Sequence, residues 1–226
     1  MNTKEEIEKM MVDVRKAHRL LFQYQDRMKE LMNRVSKEFN LGPCRGRKRF
    51  SNPIGNTRGG DDYPEANLRI HDRWAWDWLY PYEFEYYFGR NQRNDLSCCF
   101  SIFQVSDNGY YLADGYHRNV EGRNGNISKT KVEGFWPVEE SSSYLIFAFE
   151  CFPRTGHRFF FKQPKDSIVK LYGGDESTLI IRNETNTLIA KRYNIEEFFS
   201  RESVTEILTH FSKIVKEETN FELKPE

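Results

Sequence analysis

The amino-acid sequence predicts an α+β fold with a long N-terminal helix, an antiparallel aromatic-rich sheet built from hairpins, and a C-terminal amphipathic helix. Two patterns predict this class. A seven-residue apolar repeat runs through the first forty residues, and short apolar segments alternate with turn sequences after about residue 84. Aromatic residues make up 15% of the 226 residues, which is typical of a chain with a packed core.

The composition divides the chain into three regions. Residues 1–40 are a long helical arm with a coiled-coil pattern, and residues 41–72 are a Gly/Arg-rich loop followed by an acidic segment. Residues 73–226 are an antiparallel sheet domain closed by the C-terminal helix. Lys plus Arg and Asp plus Glu both number 34, so any electrostatic partner has to be recognised by a local patch rather than by net charge.

A single helix is predicted for residues 3–39, which contain neither glycine nor proline. Thr3 and Glu6 have the spacing of a capping box at its start. Apolar residues follow two lines with heptad spacing, as in a coiled coil. The first line is Ile7, Val14, Leu21, Met28 and Val35, and the second begins with Met10, Ala17, Tyr24 and Leu31.

Such a helix is about 55 Å long, which is more than a compact domain of this size can cover. We therefore expect part of it to project or to contact a partner, with Leu21, Met28 and Val35 as partner-binding residues. Packing of the whole helix against the chain's own sheet is the alternative.

The charge changes sign near residue 60. Residues 43–60 carry five basic residues and no acid, whereas residues 61–89 carry seven acids and two arginines. The two blocks either neutralise each other within the fold, or the basic loop binds phosphate groups of a nucleotide or nucleic acid. The candidate anion-binding residues are Arg45, Arg47, Lys48, Arg49 and Arg58.

Residues 74–88 carry an aromatic side chain at every even position. This alternation predicts strands with one aromatic face, and Pro81 divides them into two because proline cannot donate to a central ladder. The aromatic face is interpreted mainly as a wall of the core. In the alternative interpretation Trp74, Trp76 and Trp78 form an exposed platform that binds a partner.

Further along the chain, hairpins are predicted around Asp107-Asn108-Gly109 and around Glu184-Thr185-Asn186. Residues 144–152 are almost wholly apolar, which predicts a central strand covered on both faces. Ser203 and Glu206 have capping-box spacing before the C-terminal helix, whose apolar face is expected to cover the sheet.

No apolar run approaches the ~18 residues of a membrane span, and no secretory signal is recognisable at the start. We therefore expect a cytoplasmic protein without a membrane partner. The four cysteines lack CxxC spacing, so reduced thiols are expected, three of them in strands, and neither a metal nor a cofactor is predicted.

Catalytic motifs such as GxSxG and HExxH are absent from the sequence. The densest group of ionisable residues beside the basic loop is Asp61, Asp62, His71 and Asp72. These four residues are weak catalytic candidates, because acids and a histidine on a loop can serve a metal-dependent hydrolase.

The function that these patterns favour is a non-catalytic intracellular protein that self-associates or binds a protein partner. The N-terminal helix and an aromatic surface would form its interface. Two alternatives remain open: a nucleic-acid or nucleotide-binding module that uses residues 43–60, and a metal-dependent hydrolase or nuclease that uses the acids near His71.

Overall fold

The computed structural model describes residues 3–51, 75–79, 81–93, 95–113, 128–129, 131–155, 168 and 170–223. The described helices are α1 (Lys4–Glu38), α2 (Ala75–Trp78), α3 (Gly109–Leu112), α4 (Lys170–Gly173) and α5 (Arg201–Thr219). The described strands are β1 (Arg45–Lys48), β2 (Glu83–Arg93), β3 (Leu96–Val105), β4 (Tyr144–Pro153), β5 (Thr178–Arg182) and β6 (Thr187–Asn194). The predicted α+β class is confirmed.

The six strands form one antiparallel sheet in the order β1-β2-β3-β4-β6-β5. β4 lies near the middle and is buried along nearly its whole length, as its apolar sequence predicted. The hairpin of β5 and β6 around Glu184-Thr185-Asn186 is also present. β1 lies within the segment predicted as a loop. Three of its four residues are exposed, so its sequence does not show the apolar alternation that would predict a strand. β1 forms because it pairs with the edge of β2.

One face of the sheet is covered by the last third of α1 and by α5. Phe100 of β3 is at the centre of this layer and is 0% exposed. Its ring centroid lies 5.3–5.8 Å from those of Phe39, Phe88, Phe147 and Phe211. The two helices also contact each other, since Arg34 donates to the Thr205 hydroxyl at 2.6 Å.

The opposite face of the sheet is covered by side chains from loops and short helices. They include Phe50, Tyr111, Ile168, Leu171 and Tyr172, which pack against strand residues such as Phe103 and Ile146. Three of the four cysteines, Cys98, Cys99 and Cys151, are buried in β3 and β4, whereas Cys44 is exposed.

Two predicted strand segments are short helices instead. Residues 75–78 form α2 rather than the first aromatic strand, and residues 109–112 form α3 rather than the second arm of a hairpin. The Asp107-Asn108-Gly109 turn signal is overridden because Asn108 is buried and serves tertiary contacts. Its side-chain amide donates to the Tyr172 carbonyl and the Tyr144 hydroxyl, and its Oδ1 accepts from the Ser142 amide.

The helix ends follow the predicted capping chemistry with one shift. Thr3 and Glu6 form the capping box of α1. α5 starts at Arg201, and its cap is Ser200, three residues before the predicted Ser203, which instead bonds back to Ser200. None of the helices in the described part of the chain combines the length and the apolar composition that a membrane crossing requires.

Candidate functional site

Residues 4–20 of α1 have no cover from the other residues that the structure describes, and we call them the projecting segment. Every residue in it is exposed, including the apolar side chains of the predicted seams. Ile7 and Met10 are each 49% exposed and Val14 is 40% exposed. A helix with an apolar stripe normally buries that stripe, so the projecting segment is the unusual surface of this fold.

The stripe continues without a break into the core. Met28 and Val35 occupy the same heptad positions as Ile7 and Val14, and they are 4% and 0% exposed against the sheet. Leu21 is half-buried at the boundary between the two parts. The side of α1 that faces the sheet at its C-terminal end is therefore the side that faces solvent in the projecting segment.

A polar cluster marks the point where α1 leaves the sheet. Gln104 donates to the Tyr24 hydroxyl at 3.1 Å, and Gln25 donates to the Tyr86 hydroxyl at 3.3 Å. Tyr86 in turn donates to Gln104 at 2.8 Å. These bonds fix the direction of the helix from Tyr24 onward, so the projecting segment leaves the domain on a defined axis.

The predicted partner-binding residues are consequently divided by the fold. Met28 and Val35 are core residues and are unavailable to a partner, whereas Leu21 lies at the edge of the available surface. The exposed stripe comprises residues earlier in the same repeat, chiefly Ile7, Met10, Met11, Val14 and Ala17. The two heptad lines contained all of these residues except Met11, but nothing in the pattern distinguishes the covered half of the helix from the uncovered half.

Two of the predicted anion-binding residues, Arg47 and Arg49, already form ion pairs with a carboxylate of the chain, that of Glu85. Glu85, 1% exposed, accepts from Arg47 Nε at 2.8 Å, from Arg49 and from the Ser101 hydroxyl at 2.9 Å. This pairing follows from register, because Arg47 lies directly opposite Glu85 on the β1–β2 ladder. The basic and acidic blocks thus neutralise each other at this point. Lys48 donates to the Leu79 carbonyl, Arg45 is exposed, and Arg58 lies outside the described residues.

A second buried carboxylate, that of Glu83, lies two residues before Glu85 on the same face of β2. It accepts from the Tyr111 hydroxyl at 2.8 Å and from the Tyr172 hydroxyl at 2.5 Å. Burial raises the pKa of Glu83 above its usual range, although the two tyrosine hydrogen bonds oppose that effect. Burial, with the nearby Glu83 charge, also raises the pKa of Tyr172 well above its usual value.

Glu83→Gln is expected to gain stability relative to the wild type as the pH rises. The raised pKa means that the folded state holds the proton of Glu83 more tightly than the unfolded state does. The contribution of this carboxyl to the free energy of unfolding therefore falls as pH increases from about 4 upward through the folded-state pKa. Urea denaturation of both proteins from pH 4 to 8 measures the free energy of unfolding of the variant minus that of the wild type. A value that stays constant or falls as the pH rises would contradict a raised pKa for Glu83.

Trp76, the described member of the predicted tryptophan platform, belongs to an aromatic cluster. It is half-buried, and its Nε1–H donates to the Lys129 carbonyl at 2.5 Å. Its ring lies edge-on to Phe50 and Tyr82 and parallel to Phe135. This part of the aromatic run is therefore a wall rather than a platform. Trp74 and the side chain of Trp78 lie outside the described residues.

The catalytic candidates Asp61, Asp62, His71 and Asp72 also lie outside the described residues. Within the described part of the chain, no group of three or more His, Cys, Asp or Glu side chains is placed to hold a metal ion. The buried Glu150 on β4 accepts from the Asn186 side-chain amide at 3.0 Å.

The model of the family described as PM0109 matches residues 4–220, nearly the whole chain. The chain belongs to the PM0109 family. Comparison with curated proteins and with solved structures finds no match.

The span of the PM0109 match concerns the projecting segment directly. It begins at residue 4, the first residue of α1, and ends at residue 220, the cap of α5. The projecting segment therefore lies within the matched span, together with the sheet and the second helix. The family name itself carries no activity, substrate or partner.

Proposed function

We propose that this chain is a non-catalytic intracellular interaction protein that uses the projecting segment of α1 to bind another polypeptide. The observation that carries the proposal is the exposed apolar stripe on a helix whose other end is anchored in the core. The sheet domain then serves as a rigid base, and residues 4–20 are the binding element.

The energetics of association indicate what kind of partner the projecting segment requires. Fully burying a Val, Ile or Met side chain contributes about 1.5–3 kcal/mol. Ile7, Met10, Met11 and Val14 are 40–49% exposed, so covering what remains contributes roughly half of that for each, or about 3–6 kcal/mol in all. Association costs about 4–15 kcal/mol. A partner must therefore bring an apolar stripe of its own, as a second helix does.

The polar side of the projecting segment supports the same function. Lys4–Glu8 and Lys16–Asp13 are ion pairs within the helix, and their side chains are 62–91% exposed. Such pairs contribute a few tenths of a kcal/mol to helix formation. They keep the segment helical and soluble on one side while the apolar side remains available.

The nucleic-acid alternative is less well supported. Arg47 and Arg49 are engaged by Glu85, and a phosphate would have to displace a carboxylate that is 1% exposed. The remaining described basic residues of the loop, Arg45 and Lys48, are too few for strong electrostatic binding.

A photo-crosslinking amino acid at position 14 of the full chain tests the proposal in cells of the source organism. Val14 lies on the exposed stripe, so we expect a covalent adduct with a polypeptide. Position 19 is the matched control, because Arg19 is also exposed but lies on the opposite side of the same helix. Adduct at position 14 and little at position 19 supports the proposal. Equal adducts at both positions, or none at position 14, would refute it.

A further inference from the structure

The anchored half of α1 restricts how any second helix can lie on the projecting segment. From Met28 onward, the apolar side of α1 is covered by the chain's own sheet. A second helix that follows the exposed stripe toward the C-terminus of α1 therefore meets the sheet near Tyr24, where the helix joins the domain. Only about the first twenty residues of α1 offer room.

This restriction distinguishes the two orientations of a symmetric pair. In a parallel pair, both sheets would lie at the same end and on the inner sides of the two helices, so they would occupy the same space. In an antiparallel pair, each sheet lies beyond the N-terminus of the other helix. The described parts of the two domains are then at opposite ends of the paired segments and do not overlap.

The stripe also matches itself in the antiparallel orientation. With Met10 of one copy opposite Val14 of the other, Ile7 meets Ala17, and the same contacts repeat about the twofold axis. Lys4 of the second copy then lies opposite Leu20, one turn before Tyr24, so the pairing uses the projecting segment and stops short of the sheet. Met11 lies next to its counterpart at the axis, and methionine fills such irregular contacts well.

The charged groups beside this stripe permit the pairing. Asp13 lies close to its counterpart near the axis, but Lys16 of the same helix neutralises it at 3.1 Å. Glu6 and Lys9 flank the stripe on the same side as Asp13, and Glu6 is held in the capping box with Thr3. A twofold contact of this kind is closed, so it yields dimers rather than filaments.

We infer that the polypeptide bound by the projecting segment is a second copy of this chain, and that the two segments pack antiparallel. This inference rests on the proposed function and specifies the partner. Each copy supplies the apolar stripe that the other needs, and the two sheet domains are held at opposite ends of the pair.

The oligomeric state of the full chain is the first test. Light scattering over a concentration series is expected to show a particle of twice 27.0 kDa. Val14→Glu puts a carboxylate into the pairing and is expected to raise the dissociation constant at least about 100-fold. Val12→Glu is the matched control. Both valines are 40% exposed, but Val12 lies on the opposite side of the helix, so the dimer should persist.

The orientation is tested by a spin label at Asn33, an exposed position of α1. The label is introduced as Asn33→Cys with Cys44→Ser, because Cys44 is the exposed thiol in the described part of the chain. At 1.5 Å per residue, the antiparallel pairing places the two labels about 60 Å apart. A parallel pair places them less than about 30 Å apart, since each helix is about 10–12 Å wide.

The outcomes separate this inference from the proposed function. A dimer sensitive to Val14→Glu, with a long label distance, supports the inference. A short distance, a dimer equally sensitive to Val12→Glu, or a monomer at every concentration overturns it. If the chain is a monomer and position 14 crosslinks to a different polypeptide, the proposed function stands and the second copy is excluded. If position 14 gives no adduct, both fail.

Discussion

Phe100→Ala is expected to lower the free energy of unfolding by about 3–5 kcal/mol. The Phe100 ring is 0% exposed and contacts the ring of Phe39, the cap of α1, and rings from β2, β4 and α5. Its removal leaves a cavity at the point where both helices meet the sheet, and the surrounding aromatic rings cannot collapse into it without leaving their own contacts. Urea denaturation at equilibrium measures the loss.

Phe199→Ala is the matched control for this prediction. Phe199 is 77% exposed at the end of the short turn that precedes α5, and its truncation is expected to change stability by less than about 0.5 kcal/mol. Equal effects of the two substitutions would contradict a core centred on Phe100.

Glu85→Ala is expected to cost about 3–5 kcal/mol, because removing one partner of a buried ion pair leaves the other charge without compensation. Arg49, whose side chain is 18% exposed, loses the carboxylate that it contacts, and Ser101 loses its acceptor. Arg47, at 57% exposed, can turn to water, so the loss arises mainly at Arg49. Denaturation of the purified variant provides the measurement.

Two further variants separate the possible causes of that loss. Glu30→Ala removes the carboxylate of an ion pair with Arg27 in which both side chains are at least 60% exposed, and it is expected to cost no more than about 0.5 kcal/mol. The double substitution Arg49→Met with Glu85→Leu removes both buried charges and is expected to recover most of the stability. A double variant as unstable as Glu85→Ala would show that the shape of the ion pair matters more than its charge.

The sequence predicted those helices and strands whose patterns lie within a short segment. It did not predict the contacts between distant segments that bury some residues and leave others exposed. Thr3, Glu6 and the heptad repeat defined α1. However, Val14 and Val35 are chemically equivalent positions in that repeat, and only the position of the sheet buries the second. Exposure therefore depends on strand pairing far along the chain, which one helix pattern cannot contain.

Tertiary contacts also replaced a local signal in the aromatic run. The alternating tryptophans predicted a strand, yet Trp76 lies in a helical turn that brings its indole to Lys129. The charge reversal near residue 60 left neutralisation and phosphate binding both open, and the contact of Arg47 with Glu85 agrees with neutralisation at that point. It could not identify Arg47 and Glu85 as the pair, because their register is set when β1 joins β2. The catalytic candidates near His71 lie outside the described residues and stay a prediction.

The position of α5 in the chain has a consequence for biosynthesis. This helix follows every strand, yet Phe211, Val215 and Leu208 complete the layer over β3 and β4. As the polypeptide leaves the ribosome, the apolar surface that α5 covers remains exposed to water until α5 has also emerged. Until then, the exposed apolar surface favours association between incomplete chains.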